Sequence, residues 1–308
     1  MIEVRDLTKR YDKVPAVDAL SFDVRPGTVT GFLGPNGSGK STTMRLILGL
    51  DRPDAGRVRI GGRRYRDLGW PLREVGALLE AKAFHPGRTA RAHLAALAAS
   101  NGIAGRRVDE VLGQVGLASA AGKRAGKYSL GMAQRLGIAA ALLGDPPVLM
   151  MDEPFNGMDP EGIVWMRGFL RALAAEGRAV LVSSHLMSEL QDTADHLVVV
   201  GRGQVIADTS VQDLIAAASG DRVALRTAAR DEAMMVLAHA GARVAATAPD
   251  QLTISGLSTE RVVAALTERS VPFAEVTAHR ATLEEAYMEL TRDAVEFRAT
   301  PATPGAAQ

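Results

Sequence analysis

The chain has 308 residues, 47% of them hydrophobic, with 36 Lys and Arg against 35 Asp and Glu for a formal net charge of +1. Length allows roughly two domains of about 150 residues, the hydrophobic share excludes disorder as the main state, and the charge balance excludes attachment to nucleic acid by bulk charge. No cysteine is present, which excludes disulfides, thiolate metal sites and cysteine nucleophiles and fits a cytosolic compartment.

The start, MIEVRDLTKRYDKV, is polar and lacks the apolar stretch of a signal peptide. Residues 29–33 read as a buried strand, short, apolar and followed at once by a glycine turn. A helix is expected over about residues 41–50, ended by Asp51-Arg52-Pro53-Asp54-Ala55-Gly56. Residues 86–144 carry only helical patterns and read as a helical insertion, with Thr89 as a cap and another helix over residues 108–115. The longest apolar segment, residues 136–144, falls far short of the ~18 residues of a membrane span. The chain is therefore expected not to cross a membrane, so another chain must supply any spans. Residues 148–151 and 179–182 look like further buried strands, and such continuous apolar runs between helices imply a parallel sheet covered on both faces.

After residue 220 the glycine-rich turns give way to a smaller α+β unit. Strands are expected over residues 223–226, 242–245, 252–254 and 271–274, and helices over 231–240 and 259–269. The order βαββαβ points to a split, ferredoxin-like arrangement with an extra helix over residues 283–291. This gives an α/β unit over residues 1–219, an α+β accessory unit over 220–298, and a disordered tail over 299–308.

The run Gly34-Pro35-Asn36-Gly37-Ser38-Gly39-Lys40-Ser41 fits G-x-x-x-x-G-K-[ST] directly after a predicted strand. Its glycines let backbone N–H groups converge on an anion, and a helix N-terminus adds partial positive charge. Lys40 would reach the β- and γ-phosphates and the Ser41 hydroxyl would ligate Mg²⁺; Thr42, next in the chain, completes the expected nucleotide-binding set. Val148-Leu149-Met150-Met151-Asp152-Glu153-Pro154 is an apolar strand that ends in two carboxylates. Open α/β sheets bind ligands at the carboxyl ends of their strands, so Asp152 would hold Mg²⁺ and Glu153 would act as general base toward water.

Together these motifs resemble the ATP-binding subunit of ABC transporters, over about residues 1–215, with a P-loop NTPase fold. Three further segments fall in the family's order: Tyr128-Ser129-Leu130-Gly131-Met132-Ala133-Gln134-Arg135 is similar to the signature LSGGQ-x-Q-R, Asn156-Gly157-Met158-Asp159-Pro160 to the D-loop, and Ser183-Ser184-His185 to the switch-histidine segment. The resemblance implies that Tyr11 stacks on adenine, that His185 contacts the γ-phosphate, and that Ser129 and Gly131 contact ATP held by a second subunit. Two chains, most simply a homodimer, would then close around two ATP molecules and drive separate transmembrane permease subunits from the inner face of the cell membrane.

Two positions depart from the pattern. The signature has Leu130 for a glycine and Met132 for the glutamine. Glu80 stands where most of the family has the Q-loop glutamine and, with Phe84-His85-Pro86, is similar to the ATPases of bacitracin-resistance and lantibiotic-immunity exporters. A glutamate can offer Mg²⁺ an oxygen, but at ~6 Å and an effective dielectric of ~20 its attraction to a unit charge, about 3 kcal/mol, is matched by repulsion from a phosphate oxygen. The implied activity is ATP hydrolysis that powers export of a drug, antibiotic or peptide. A soluble ABC-type ATPase acting on nucleic acid or ribosomes is the alternative, opposed by the single P-loop, the absence of a sustained heptad run and the near-neutral charge.

Overall fold

The computed structural model describes residues 1–12, 14–219, 222–278 and 281–291. The chain opens with two long strands, β1 (Ile2–Tyr11) and β2 (Val14–Val24), whose alternating apolar residues bury one face. The five residues of β3 (Val29–Leu33) are all buried, and a glycine turn leads from them into α1 (Lys40–Ile47). This helix stops short of the expected end at Leu50 because Gly49 takes a left-handed φ of 64° and its N–H turns back to the Leu46 carbonyl. β4 (Ala55–Ile60) follows and pairs with β1, giving an antiparallel sheet in the order β2-β1-β4.

Beyond β5 (Val75–Leu78) the helical insertion appears as expected, in α2 (Ala90–Ser100), α3 (Arg106–Gln114) and α4 (Leu130–Leu142). Thr89 caps α2, its Oγ1 accepting the Ala92 N–H at 3.1 Å. The chain then returns to the sheet through β6 (Val148–Asp152), α5 (Pro160–Ala175), β7 (Ala179–Ser184), α6 (Met187–Gln191), β8 (His196–Gly201) and β9 (Gln204–Ser210).

Six of these strands form one sheet in the order β5-β6-β7-β3-β8-β9, parallel except at the β8–β9 pair. The register sets Asp152 opposite Ser183 and Leu33 opposite Ser184, so β3, β6 and β7 end at a common edge. Phe32, Met150, Leu181 and Val198 are buried in one core with Val4, Leu20 and Phe22 of the antiparallel sheet, and Phe22 stacks on Phe32 at 5.2 Å between ring centroids. This packing holds β3 rigid just before the turn that it delivers.

The described chain divides into two compact units, one built on residues 1–211 and one on residues 212–290. The second contains α7 (Val211–Ser219) apart from its first residue, β10 (Arg222–Arg226), α8 (Arg230–His239), β11 (Arg243–Ala248), β12 (Gln251–Ser255), α9 (Thr259–Glu268), β13 (Glu275–Ala278) and α10 (Leu283–Thr291) apart from its last residue. Its antiparallel sheet runs β11-β12-β10-β13, the strand order of a ferredoxin-like unit. The last strand lies later than expected. Pro272 has no N–H for a ladder, so residues 271–274 form the approach to β13, with Val271 buried and the Pro272 carbonyl accepting the Thr227 hydroxyl at 2.6 Å. The tail over residues 299–308 lies outside the described residues. Among the described residues no helix is long and apolar enough to cross a membrane.

Leu237, Val262 and Leu266 cover Val223, Leu225, Leu252 and Ile254 on one face of the second sheet. Leu266→Ala is expected to lower stability by about 2–5 kcal/mol. Denaturant unfolding measures this, and an unchanged midpoint would remove α9 from the core.

Candidate nucleotide site

The glycine turn after β3 is shaped by close backbone approach. Gly39 has a φ of 98°, and a Cβ there would come within 2.3 Å of the Ala16 carbonyl oxygen; no other residue fits both constraints. Pro35, Asn36 and Gly37 are exposed at the rim, whereas Gly34 and Ser38 are buried and Thr42 is half-buried in the first turn of α1. Ser38 Oγ is buried with no hydrogen-bond partner among the described residues, an orphan of the kind a ligand relieves. Lys40 Nζ folds back onto its own loop, donating to the Gly34 carbonyl at 2.5 Å and the Pro35 carbonyl at 3.2 Å, and lies 4.0 Å from Glu153 Oε1. Burial pushes the Lys40 ammonium below the usual lysine range, against the opposing pull of Glu153 and Asp152.

The common sheet edge brings the acids to this lysine. Ser41 Oγ donates to Asp152 Oδ2 at 2.7 Å, and Ser183 Oγ donates to Asp152 Oδ1. Ser183 Oγ also accepts the Glu153 N–H at 2.9 Å. Glu153 has a left-handed φ of 49°, which costs a residue with a side chain about 1–2 kcal/mol. His185 Nδ1 lies 2.8 Å from Glu153 Oε2; an ionised carboxylate only accepts, so the ring proton sits on Nδ1 and donates to it.

Behind this edge Ser184 donates to the buried Glu189 at 2.9 Å, and burial pushes that carboxyl above the usual range. Ser41 and Asp152 place a hydroxyl and a carboxylate oxygen side by side, a donor pair suited to a hard divalent cation. Among the described residues no group of three His, Cys, Asp or Glu surrounds such an ion.

The signature segment begins α4. Ser129, exposed, caps the helix by accepting the Met132 N–H at 3.2 Å, with Gly131 in the first turn. The Leu130 side chain lies against Gly157, where an added Cβ would come within 2.0 Å of it. Gln134 is buried and donates from Nε2 to the Glu153 carbonyl at 3.3 Å and the Asn156 carbonyl at 3.5 Å. Arg135 stacks over Trp165 at 4.0 Å, and Trp165 stacks on Phe169 at 4.9 Å, fastening α4 to α5.

Lys40, Ser41, Asp152, Glu153 and His185 thus form one cluster. Tyr11 makes its contacts elsewhere. Its exposed ring ends β1, with the hydroxyl donating to Asp51 at 3.2 Å and Lys9 over the ring at 5.6 Å. Glu80 is exposed just beyond β5 and has no hydrogen bond or ion pair to Ser41 or Asp152 among the described residues. Sequence reasoning placed Ser183 and Gln134 in family segments without giving either a role, and missed Glu189. The available signal was polar residues inside otherwise apolar elements, since Ser183 and Ser184 are fully buried and Gln134 is flanked by buried apolar residues of α4.

The ABC transporter family profile matches residues 17–156. The bacitracin transport ATP-binding protein of Bacillus licheniformis is 42% identical over 68% of this chain and 69% of its own. The daunorubicin resistance ATP-binding protein of Streptomyces coeruleorubidus is 35% identical over 95% of this chain and 96% of its own. This chain belongs to the ATP-binding subunits of ABC transporters. A dimeric bacterial ABC transporter cassette has the same fold at a TM-score of 0.63, with 25% identity over 68% of this chain and 99% of that one. Residues 221–284 match a family described only as a domain of unknown function. An ABC ATP-binding subunit hydrolyses ATP.

The folded subunit holds the Lys40 proton less tightly than the unfolded chain does. Its stability therefore rises with pH over the interval from the lowered lysine value up to the ordinary one near ~10.4. Lys40→Met is expected to flatten that alkaline rise in denaturant unfolding and to weaken ATP binding more than about tenfold. Unchanged ATP affinity in a titration would undo the cradle assignment.

Proposed function

We propose that this subunit hydrolyses ATP at the Lys40–Glu153 cluster and thereby powers an exporter of a drug, antibiotic or peptide. Its P-loop amides and Lys40 bind the phosphates, with the ammonium exchanging loop carbonyls for phosphate oxygens. Ser41 and Asp152 hold Mg²⁺, which neutralises phosphate charge when bound. Glu153 accepts a proton from the attacking water as the new oxygen–phosphorus bond forms and the bond to ADP breaks. The proton leaves with the products, ADP and phosphate. His185 holds the Glu153 carboxylate through Nδ1 and keeps its Nε2 for the γ-phosphate. The observation that carries this reading is the convergence of Lys40, Ser41, Asp152, Glu153 and His185 on one edge, with every side chain except Lys40 supported by at least one side-chain hydrogen bond.

The exposed Ser129 cap and the α4 N-terminus lie on a different segment of the chain from the P-loop. This supports a dimer in which each signature completes the other subunit's site, with Tyr11 against adenine and Glu80 facing the nucleotide. Relatives named for bacitracin transport and daunorubicin resistance favour export over import. The membrane path then belongs to separate permease subunits on which this chain docks from the cytoplasmic side.

Glu153→Gln is expected to keep ATP binding and lose hydrolysis by about 100-fold or more, the range of a removed general base. Steady-state turnover and nucleotide titration measure the two separately. Near-normal turnover would take the general-base role from Glu153. Purification of the chain from solubilised membranes is expected to bring with it a protein of several apolar spans. Recovery only with ribosomes or nucleic acid would overturn the transporter assignment.

A further inference from the structure

Glu153 is held by its backbone as well as by its side chain. Ser183 of β7 takes its N–H, and Gln134 of α4 donates to its carbonyl. Between those two grips the residue keeps a left-handed φ of 49°. Gln134 comes from the signature helix, and its second bond runs to the Asn156 carbonyl in the loop after Glu153. At the start of the same helix Leu130 lies against Gly157. Signature helix and Glu153 loop are therefore joined within one chain.

Stability alone is a poor reason for a glutamine here. Its side chain is buried at 4% exposure, and Oε1 finds no donor among the described residues. A buried acceptor left unpaired is unfavourable, and an apolar side chain of the same length would avoid the loss. What an apolar side chain lacks is the Nε2–H pair that meets the two carbonyls. The amide orientation is fixed by the same contacts, because the reversed amide would set its oxygen against both carbonyl oxygens.

We propose that Gln134 is a positioning residue for ATP hydrolysis: by holding the Glu153 carbonyl it maintains the backbone conformation that aims the Glu153 carboxylate, and it ties that aim to the position of the signature helix. The inference rests on the general-base reading of Glu153. The Gln134 amide donates to backbone carbonyls of the Glu153 loop. Its effect passes through the Glu153–Asn156 backbone, so it belongs in kcat and not in nucleotide affinity.

The test is steady-state kinetics on the full chain. Gln134→Met keeps length and burial but removes the donor. It is expected to lower kcat about tenfold or more with KM for ATP within about twofold of wild type and an unchanged thermal midpoint. Gln134→Glu offers acceptors in place of the donor and carries the same test should the methionine variant fold poorly. Made in a Glu153→Gln background, Gln134→Met is expected to change the residual turnover less than about twofold, since a residue that acts through Glu153 has little left to act on. A normal kcat in both single variants, or a full further loss in the double variant, overturns the proposal. Glu153→Gln alone retaining turnover would instead remove the general-base reading, so the two failures are told apart.

Discussion

The carboxylate of Asp152 is shared by two hydroxyls, Ser41 from the start of α1 and Ser183 from the end of β7. A carboxylate leaving a buried strand is tolerable only when its lone pairs are met, and here each oxygen is met by a different element. The arrangement follows from the register, because Asp152 opposite Ser183 requires β6 and β7 to stop at the same level. With that level fixed, the residue after Asp152 has its N–H on Ser183 and its carboxylate within reach of Lys40 and His185. Removing the Asp152 carboxylate would leave two hydroxyls and the alignment of two strands with α1 without their common acceptor.

Much of this was legible in the sequence for reasons that can be stated residue by residue. Buried parallel strands admit no polar alternation, so residues 29–33 and 148–151 announced themselves as apolar runs, and the glycines after the first required a turn. The chemistry of Lys40, Ser41, Asp152 and Glu153 followed from residue type and strand-end position. The misjudged boundaries fell where local signals compete. Gly49 ended α1 before the Asp-Pro cluster could, and Pro272 displaced a strand whose apolar residues looked continuous with it. The supports of the site were invisible for another reason. Ser183 and Gln134 act on atoms 30 and 19 residues away in sequence, and no local period records which polar side chain in an apolar element will find a distant backbone group.

Unfavourable local energies gather at this edge. Lys40 carries a charge into a buried setting, Ser38 Oγ and Gln134 Oε1 lack partners among the described residues, and Glu153 sits in a backbone region that side chains avoid. The cores beneath carry the compensation, in Phe32, Met150 and Leu181 packed against the antiparallel sheet. Strain and unmet polar groups held by a rigid scaffold are marks of a preorganised site. The Lys40 ammonium donates to the Gly34 and Pro35 carbonyls, so a ligand that takes it must offer better oxygens than these two. Terminal phosphates do so; a nucleoside without them does not.

The stack of Arg135 on Trp165 has an optical consequence. The chain holds two tryptophans, Trp70 and Trp165. Trp70 is exposed, at 55%, beside Arg73, and an aqueous quencher can silence it. Trp165 lies partly buried with the guanidinium of the signature helix 4.0 Å from its ring. Indole emission responds to a cation at that range, so any movement of α4 against α5 alters the light from a single ring. The signature helix thus carries an intrinsic fluorophore on its neighbour, and its displacement can be followed in solution without a label.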